Sequence, residues 1–358
     1  MKISRNINLA EYTTMRVGGN ANYLTEVSTL DELIESMQWA KDNKIKFFVM
    51  GGGSNTIFTD TGYSGLVIIN KIKLKNKFEI INSSNDYLIK SGAGEKWDDL
   101  VAFSVDNGLT GVEALSSIPG RVGAAPVQNI GAYGQQVGDV INELEAISIE
   151  SLQLVRFGAD DCNFSYRSSR FNSSDKGKYI IISVQLKLKK ANYIGKIYKD
   201  VEDYFNFKNY SEYDNLTPAQ IREAVISIRS NKLPDPKLVA NAGSFFKNPI
   251  ISEDEFSELK LNNPSVMETP PGWNQNPFWK VEGGYKISAG WLVGKAGFSS
   301  FYDDDLDFGT WPKQKLVLYS NSTEPRYQNL KSFRDLIKFR VQDYFNIALQ
   351  QEPEEVVE

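Results

Sequence analysis

The chain has 358 residues, 41 % hydrophobic and 24 % charged, a globular balance at a length that suits two or three domains rather than one. A net charge of −5, with lysines and arginines scattered rather than massed, gives no footprint of a nucleic-acid or membrane-surface partner. Histidine is absent and Cys162 is the single cysteine, which excludes Ser–His and Cys–His nucleophile pairs, histidine-ligated metals, an internal disulfide and a multi-cysteine metal site. Proton transfer must then use carboxylates, Lys, Tyr, Cys or a specially placed hydroxyl. The N-terminal MKISRNINLAEY lacks the apolar core of a signal peptide, and no stretch nears the roughly 20 apolar residues of a bilayer span, so a cytoplasmic location is expected.

In chain order, YLTEV (23–27) reads as a strand. Ser28 and Thr29 offer overlapping helix caps with Asp31 and Glu32 three residues on, and Leu30, Leu33, Ile34, Met37 and Trp39 or Ala40 follow at helical spacing. KFFVM (46–50) is a short apolar run that breaks into GGGSN (51–55) before GLVIIN (65–70), which makes a β-α-β-loop-β unit. From about residue 73, strands are expected in YLIKSGAG, LEAISIE and YIIISVQLKLK, and a helix over 97–106 stopped by Gly108. The stretch 116–134 is rich in Gly and Ala and has no period. At LTPAQIREAV, Thr217 caps, Pro218 takes the first helical position and Gln220 completes a capping box; Ile221, Ala224, Val225 and Ile228 form one apolar face. Residues 298–312 read as an irregular acidic insertion, 332–345 as the last helix and NIAL (346–349) as a short terminal strand. The expected division is 1–72 (rejoined by 339–358), 73–209 and 210–338.

Two loops invite a phosphate-bearing cofactor. In GGGSN, the glycines Gly51, Gly52 and Gly53 with Ser54 and Asn55 follow a strand directly, turn sharply and leave amide N–H groups unobstructed, which suits a diphosphate. Alone, it reads equally well as a tight turn. The second, IPGRVGAAPVQNIGAYG, offers almost no bulk at Gly120, Gly123, Ala124, Ala125, Gly131 and Ala132. Ordering such a loop costs on the order of 1–2 kcal/mol per residue, which close approach of a flat ring or diphosphate would offset. Gln128 and Asn129 offer directional hydrogen bonds and Tyr133 an aromatic edge. A merely flexible loop is the alternative; FAD fits better because a phosphate-type loop precedes it.

Eight ordered blocks resemble one family. TTMRVGGNANYLTEV, VMGGGSN, GAGEKW, GVEALSSIPGRVGAAPVQNIGAYG, CNFSYRSSRF, KLPDPK, NAGSFFKNP and AGWLVGKAG, from about Thr13 to Glu352, are similar to the UDP-N-acetylenolpyruvoylglucosamine reductase family, in the larger form that carries a substrate-covering loop. The resemblance implies an α+β fold, with an FAD-binding domain pair of the vanillyl-alcohol-oxidase type and a C-terminal α/β substrate-binding domain. It implies non-covalent FAD held by the two loops above, Pro119 included, with no metal. It also implies NADPH as reductant and reduction of an enolpyruvyl ether to a lactyl ether. The expected partner is the UDP-sugar enolpyruvyl substrate, with no nucleic acid and no membrane, and a monomer is expected.

The same resemblance assigns roles. Ser244, in GSFFKNP, matches the proton donor; Gly243 permits close backbone approach, and Phe245 and Phe246 are expected to keep water from the intermediate. Arg167 matches the active-site arginine, a fork suited to a carboxylate. Glu352, three residues after Leu349, matches the third catalytic residue, with Glu354, Glu355 and Glu358 as competitors. Arg229 and Lys232 are expected at the UDP diphosphate and Tyr198 in the covering loop; Asn248 lies in the serine motif, and Gln314 is expected on the uridine side. Cys162 reads as a packing residue. A flavin oxidase sharing the FAD domain would not need the GSFFKNP block, and a non-catalytic FAD or nucleotide sensor would tolerate loss of Ser244 and Glu352.

Overall fold

A computed structural model of the chain describes residues 1–82, 86–209, 213, 215–270 and 276–357. The chain forms two compact units, each assembled from separated segments. The first comprises Met1–Ile7, Ala21–Gly52 and Ser64–Asn231, and the second Asn8–Asn20, Gly53–Tyr63 and Lys232–Glu358. The glycine loop at 51–55 therefore starts in one unit and finishes in the other.

In the first unit, a four-stranded sheet runs Ser4–Asn8, Asn20–Val27, Tyr63–Asn70, Phe47–Met50, the last two paired in parallel. Between Asn20–Val27 and Phe47–Met50 in sequence lies the helix Leu30–Asp42, started by a full Thr29–Glu32 capping box. Leu33, Met37 and Ala40 of that helix pack on Val27, Leu66 and Ile68 of the sheet. A larger antiparallel sheet has the order Leu154–Gly158, Ile141–Ser148, Tyr179–Lys190, Tyr87–Gly92, Phe78–Asn82. The helix Trp97–Asp106 matches its expected bounds, with Gly108 at φ 69° just past its end. It buries Trp97, Leu100, Val101 and Val105 against Ile89, Leu144 and Val184, and the Trp97 indole donates to the Leu115 carbonyl at 3.0 Å. Cys162 is fully buried in this core, its thiol pushed up to about 12 by burial, as suits the expected packing role.

Two further helices, Lys199–Phe207 and Pro218–Lys232, pack through Val201, Phe205, Ile221, Ala224 and Val225. The expected cap is present: Gln220 N–H donates to Thr217 Oγ1 at 3.3 Å and Thr217 N–H to Gln220 Oε1 at 2.9 Å.

The second unit is built on an antiparallel sheet of order Ala240–Ser244, Gln314–Ser320, Phe308–Trp311, Tyr302–Asp303. Residues 298–312 are thus not an irregular insertion. They supply two strands of this sheet, and Phe298, Phe308 and Thr310 are buried. The last helix spans Tyr327–Phe345 and starts earlier than its apolar period suggested, because Asp60 supplies the acceptors: its carboxylate takes the N–H groups of Tyr327 at 2.8 Å and Gln328 at 3.0 Å. Phe333, Ile337 and Val341 face the core, whereas Tyr344 is exposed and Phe345 takes the buried place.

NIAL is not a strand. Asn346 closes the helix in the left-handed region at φ 54°, and the terminal strand is Glu354–Val356, parallel to Thr56–Phe58. Glu358 lies outside the described residues. Among the described residues, no helix is long and apolar enough to cross a membrane, and no group of three or more Cys, Asp or Glu is placed to hold a metal ion.

Candidate active site

In the first unit, the small-residue loop is laid against the start of the glycine loop. A Cβ on Gly52 would fall 3.3 Å from Gly120 Cα, and one on Gly51 would fall 3.5 Å from both Ala124 Cβ and Arg121 Cβ. Gly123 is closer still to the GAGEKW block, since its Cβ would meet Ala93 Cβ at 2.5 Å; its N–H donates to the Ala93 carbonyl at 2.9 Å. Of the three, Gly123 leaves no room for a Cβ, the Gly52 contact is tight and the Gly51 contact is ordinary. Ala125 turns inward to the core, Gln128 is half-buried and Pro119 is exposed.

Asn129 is fully buried at φ 45°, and its amide serves the protein: it donates to Ser165 O at 3.0 Å and Gln136 Oε1 at 3.2 Å, and accepts from Gly138 N–H at 2.8 Å. Gly131 and Ala132 form a short antiparallel ladder with Gln135 and Gln136. This rigid corner receives Arg167, whose Nη2 donates to the Gly131 carbonyl at 2.8 Å. Its guanidinium also lies over the Tyr166 ring at 5.4 Å.

Tyr133, the next corner residue, sits at φ 45°, and burial pushes its phenol up to about 12. Gly134 follows at φ 85°, where a Cβ would strike the Tyr198 ring at 2.7 Å, so that ring sits close against this turn. Arg229 belongs to the same group. Burial draws its guanidinium down, the charges of Tyr133 and Asp98 oppose that, and its Nε is buried without a hydrogen-bond partner. Lys232 is the final residue of the helix that carries Arg229.

Sequence reading missed the strut beneath this group. Asp98 accepts both arms of Arg222, at 2.7 and 2.9 Å, and the Ser117 N–H at 2.6 Å; Arg222 Nη1 also donates to Ser116 Oγ at 2.9 Å. One carboxylate thus ties the helix Trp97–Asp106, the start of the small-residue loop and the helix bearing Arg229. Burial alone would raise the Asp98 carboxyl, but the Arg222 and Ser117 bonds outweigh it and hold the group below the usual carboxylate range. A depressed folded value stabilises at pH above the unfolded value and is lost as pH falls through the folded one. Asp98→Asn is therefore expected to cost about 1 kcal/mol near pH 7, a modest figure because the carboxylate is partly open to water. Its deficit against the native chain should begin to narrow below about pH 4 and go on shrinking as pH falls through the folded value. Urea titrations at pH 7 and pH 3.5 check this; an equal deficit at both would place the loss elsewhere.

The second unit joins Ser244 to Glu352. Gly243 stands at φ 69° beside a register shift in the strand Ala240–Ser244, so Ser244 is exposed while Phe245 and Phe246 enter the core. The two phenylalanines are anchors at 0 and 1 % exposure, rather than the shield expected of them. Phe245 N–H donates to Leu316 O at 2.7 Å, and Glu352 N–H to Phe245 O at 2.9 Å. Lys247 N–H bonds Gln350 O at 2.9 Å, so the C-terminal tail runs along the serine motif.

The same tail meets the second half of the glycine loop. Asn55 Nδ2 donates to Glu352 O at 3.4 Å, and Glu354 N–H to Asn55 O at 2.9 Å. Thr14 N–H donates to Gly53 O at 3.1 Å and its hydroxyl to Ser54 O at 3.5 Å, while Asn241 N–H donates to Thr14 O at 3.0 Å. Asn248 Oδ1 accepts Ala289 N–H at 2.9 Å, and Gln314 Oε1 lies 3.7 Å from where a Gly290 Cβ would be. Both of these residues therefore flank the short helix Ala289–Val293.

Comparison with known proteins decides between the readings. Residues 21–156 match an FAD binding domain, and residues 235–356 match the C-terminal domain of UDP-N-acetylenolpyruvoylglucosamine reductase. The chain is 38 % identical over 335 residues to the UDP-N-acetylenolpyruvoylglucosamine reductase of Flavobacterium johnsoniae, covering 92 % of this chain and 93 % of that one. It is 34 % identical over 352 residues to that of Vibrio vulnificus, covering 98 % and 94 %.

The chain belongs to the UDP-N-acetylenolpyruvoylglucosamine reductase family.

A crystal structure of the Thermus caldophilus reductase shares the fold, with TM-score 0.64 at 21 % identity over 99 % of both chains. As a reductase of this family the protein is an FAD-dependent oxidoreductase. Its residues suit that cofactor: the small-residue loop approaches the glycine loop closely at Gly51 and Gly52, and Arg121 at their crossing is pulled down by burial with its Nε buried and unbonded. A half-buried cation at a glycine loop suits a diphosphate. Sequence reading passed over Arg121, the one charged residue in the run 118–134.

Proposed function

We propose that the protein reduces UDP-N-acetyl-3-O-(1-carboxyvinyl)-glucosamine to UDP-N-acetylmuramate in the cytoplasm, with NADPH as reductant, as a step of peptidoglycan precursor synthesis. The observation that supports this reading is the backbone bond from Glu352 to Phe245, which holds the Glu352 main chain beside the residue that follows Ser244. FAD, held by Gly51–Gly53, Ser54, Asn55 and the 119–133 loop, supplies when bound a hydride equivalent taken from NADPH. The enolpyruvyl C=C is conjugated to a carboxylate, so hydride entry at the terminal CH2 leaves negative charge on the α-carbon and its carboxylate.

Ser244 then gives its hydroxyl proton to the α-carbon. A hydroxyl is a weak acid in water, yet it suffices against so basic a carbon. Arg167 stabilises the growing charge on the carboxylate through its fork of N–H donors. Glu352 polarises the same carboxylate region. Arg229 and Lys232 take the diphosphate, which gives Arg229's unbonded Nε a partner, and Tyr198 covers the substrate. Asn248 and Gln314 serve the nucleotide end.

Purified protein is expected to be yellow, to bleach with NADPH without oxygen, and to regain colour when the enolpyruvyl nucleotide is added. A bleached sample that stays colourless after that addition overturns the reading. Rapid reoxidation by oxygen with peroxide release, and none by the nucleotide, would make it an oxidase.

A further inference from the structure

Glu352 sits in a tail that has little regular structure of its own, yet the tail is tied on both sides of it. The segment 350–356 bonds the serine motif through Gln350 and Glu352, and pairs with Thr56–Phe58 through Glu354–Val356. Both sets of bonds are backbone bonds, and they leave the tail's register to side chains. Those come from one face of the last helix. Tyr327 and Arg334 are seven residues apart in Tyr327–Phe345, two turns along the same side.

Arg334 Nη1 donates to the Gln351 side-chain carbonyl at 3.0 Å and to the Glu355 carboxylate. The Tyr327 hydroxyl donates to Glu355 Oε1 at 2.5 Å, and Gln351 Nε2 returns to Pro353 O at 2.9 Å. One guanidinium thus holds the residue before Glu352 and the residue three after it.

We propose that Arg334, Glu355 and Tyr327 form a positioning clamp that sets the register and orientation of Glu352, acting on the reaction through that carboxylate without touching the substrate. This rests on the reading of Glu352 given above. Withdrawing an ion pair from water gains little net stability, because desolvation offsets attraction. Here the Arg334 and Glu355 side chains are only 12 and 23 % exposed. A pair of that kind earns its place through geometry, and this one straddles a candidate catalytic residue. Burial and the Glu355 bond push the Tyr327 phenol up to about 12, so it remains a donor throughout the neutral range. Arg334 is held further by Asp335, whose Oδ1 accepts its Nε at 2.8 Å.

The test uses full-length, FAD-loaded protein and separates the two half-reactions by anaerobic stopped flow. Glu355→Gln keeps shape and removes the charge. It is expected to slow reoxidation by the enolpyruvyl nucleotide about 30-fold, as small misplacements of a reacting group do. Flavin reduction by NADPH and nucleotide affinity should both stay within about twofold. Hydrogen exchange across 350–356 should speed up, a direct reading of register loss. Arg334→Lys, which keeps the charge without the fork, should recover part of the rate.

In Glu352→Gln/Glu355→Gln, the second change should add nothing to the first, the signature of residues acting through one another. If Glu352→Gln is slow while Glu355→Gln reoxidises normally, the clamp is wrong and the Glu352 reading stands. If Glu352→Gln reoxidises normally, both fall. Equal slowing of the two halves in Glu355→Gln would show loss of fold and overturn a positioning role. Should that variant not fold, Tyr327→Phe deletes one hydroxyl and is expected to give the same asymmetry, about 3-fold.

Discussion

Ser244→Ala slows reoxidation of the reduced protein by the enolpyruvyl nucleotide about 10³- to 10⁴-fold, the upper range for loss of a positioned general acid. Reduction by NADPH is expected to stay within about twofold, because no proton from Ser244 enters that half. The structure makes this a clean deletion. Ser244 is exposed at the end of its strand, and Gly243 at φ 69° sets the backbone irrespective of the side chain. The bonds that hold the motif, Phe245 to Leu316 and Glu352 to Phe245, are all main-chain. Removing one Oγ therefore takes away the proton without moving its surroundings. Ser244→Cys offers a stronger acid at a longer reach and should lose only about 10- to 100-fold. Stopped-flow traces at the flavin absorbance measure both halves in one preparation. If alanine slows the two halves alike, Ser244 shapes the site and the proton comes from elsewhere.

Much of the scaffold was legible where a local rule acts alone. Thr29 with Glu32, and Thr217 with Gln220, write helix starts in four residues each, and Gly108 writes a stop. The sequence failed where a partner lies far away. The strand Glu354–Val356 exists because Thr56–Phe58, some three hundred residues earlier, offers it an edge; three residues carry no period of their own. The last helix begins at Tyr327 because Asp60 supplies its acceptors, which no local cap announces.

The site divides the same way. Ser244, Arg167 and the glycine loops stood out as candidates because their motifs are contiguous. Asp98 with Arg222, 124 positions apart, and Arg334 with Glu355 were not, since either half of such a pair looks like an ordinary surface charge until the fold brings its partner. Phe245 and Phe246 show the reverse error. Their place beside the serine suggested a shield, but both follow the end of the strand Ala240–Ser244 and are buried in the core.

Arg167→Lys slows the same reoxidation about 10²- to 10³-fold, the cost of losing one preorganised donor set at a developing anion. It is expected to weaken nucleotide binding by about 10-fold, since the carboxylate is present in the ground state too. The charge survives this change, so the loss measures geometry. Arg167 stands at φ 53° inside a tight Ser165–Ser168 bridge, a conformation that costs a residue with a Cβ on the order of 1 kcal/mol. Asn172 Nδ2 donates to its carbonyl at 3.2 Å, and its Nη2 donates to Gly131 O at 2.8 Å. A Cβ at residue 131 would fall 3.0 Å from Nη1, so glycine there is what admits the guanidinium to the small-residue loop. A lysine ammonium has no planar fork, so it cannot keep the Gly131 bond and grip a carboxylate with two parallel donors. Strain at 167, glycine at 131 and a planar cation between them make sense together only if the direction of the donors matters. Full activity in the lysine variant would show that charge alone suffices there, and the strained turn would then need another explanation.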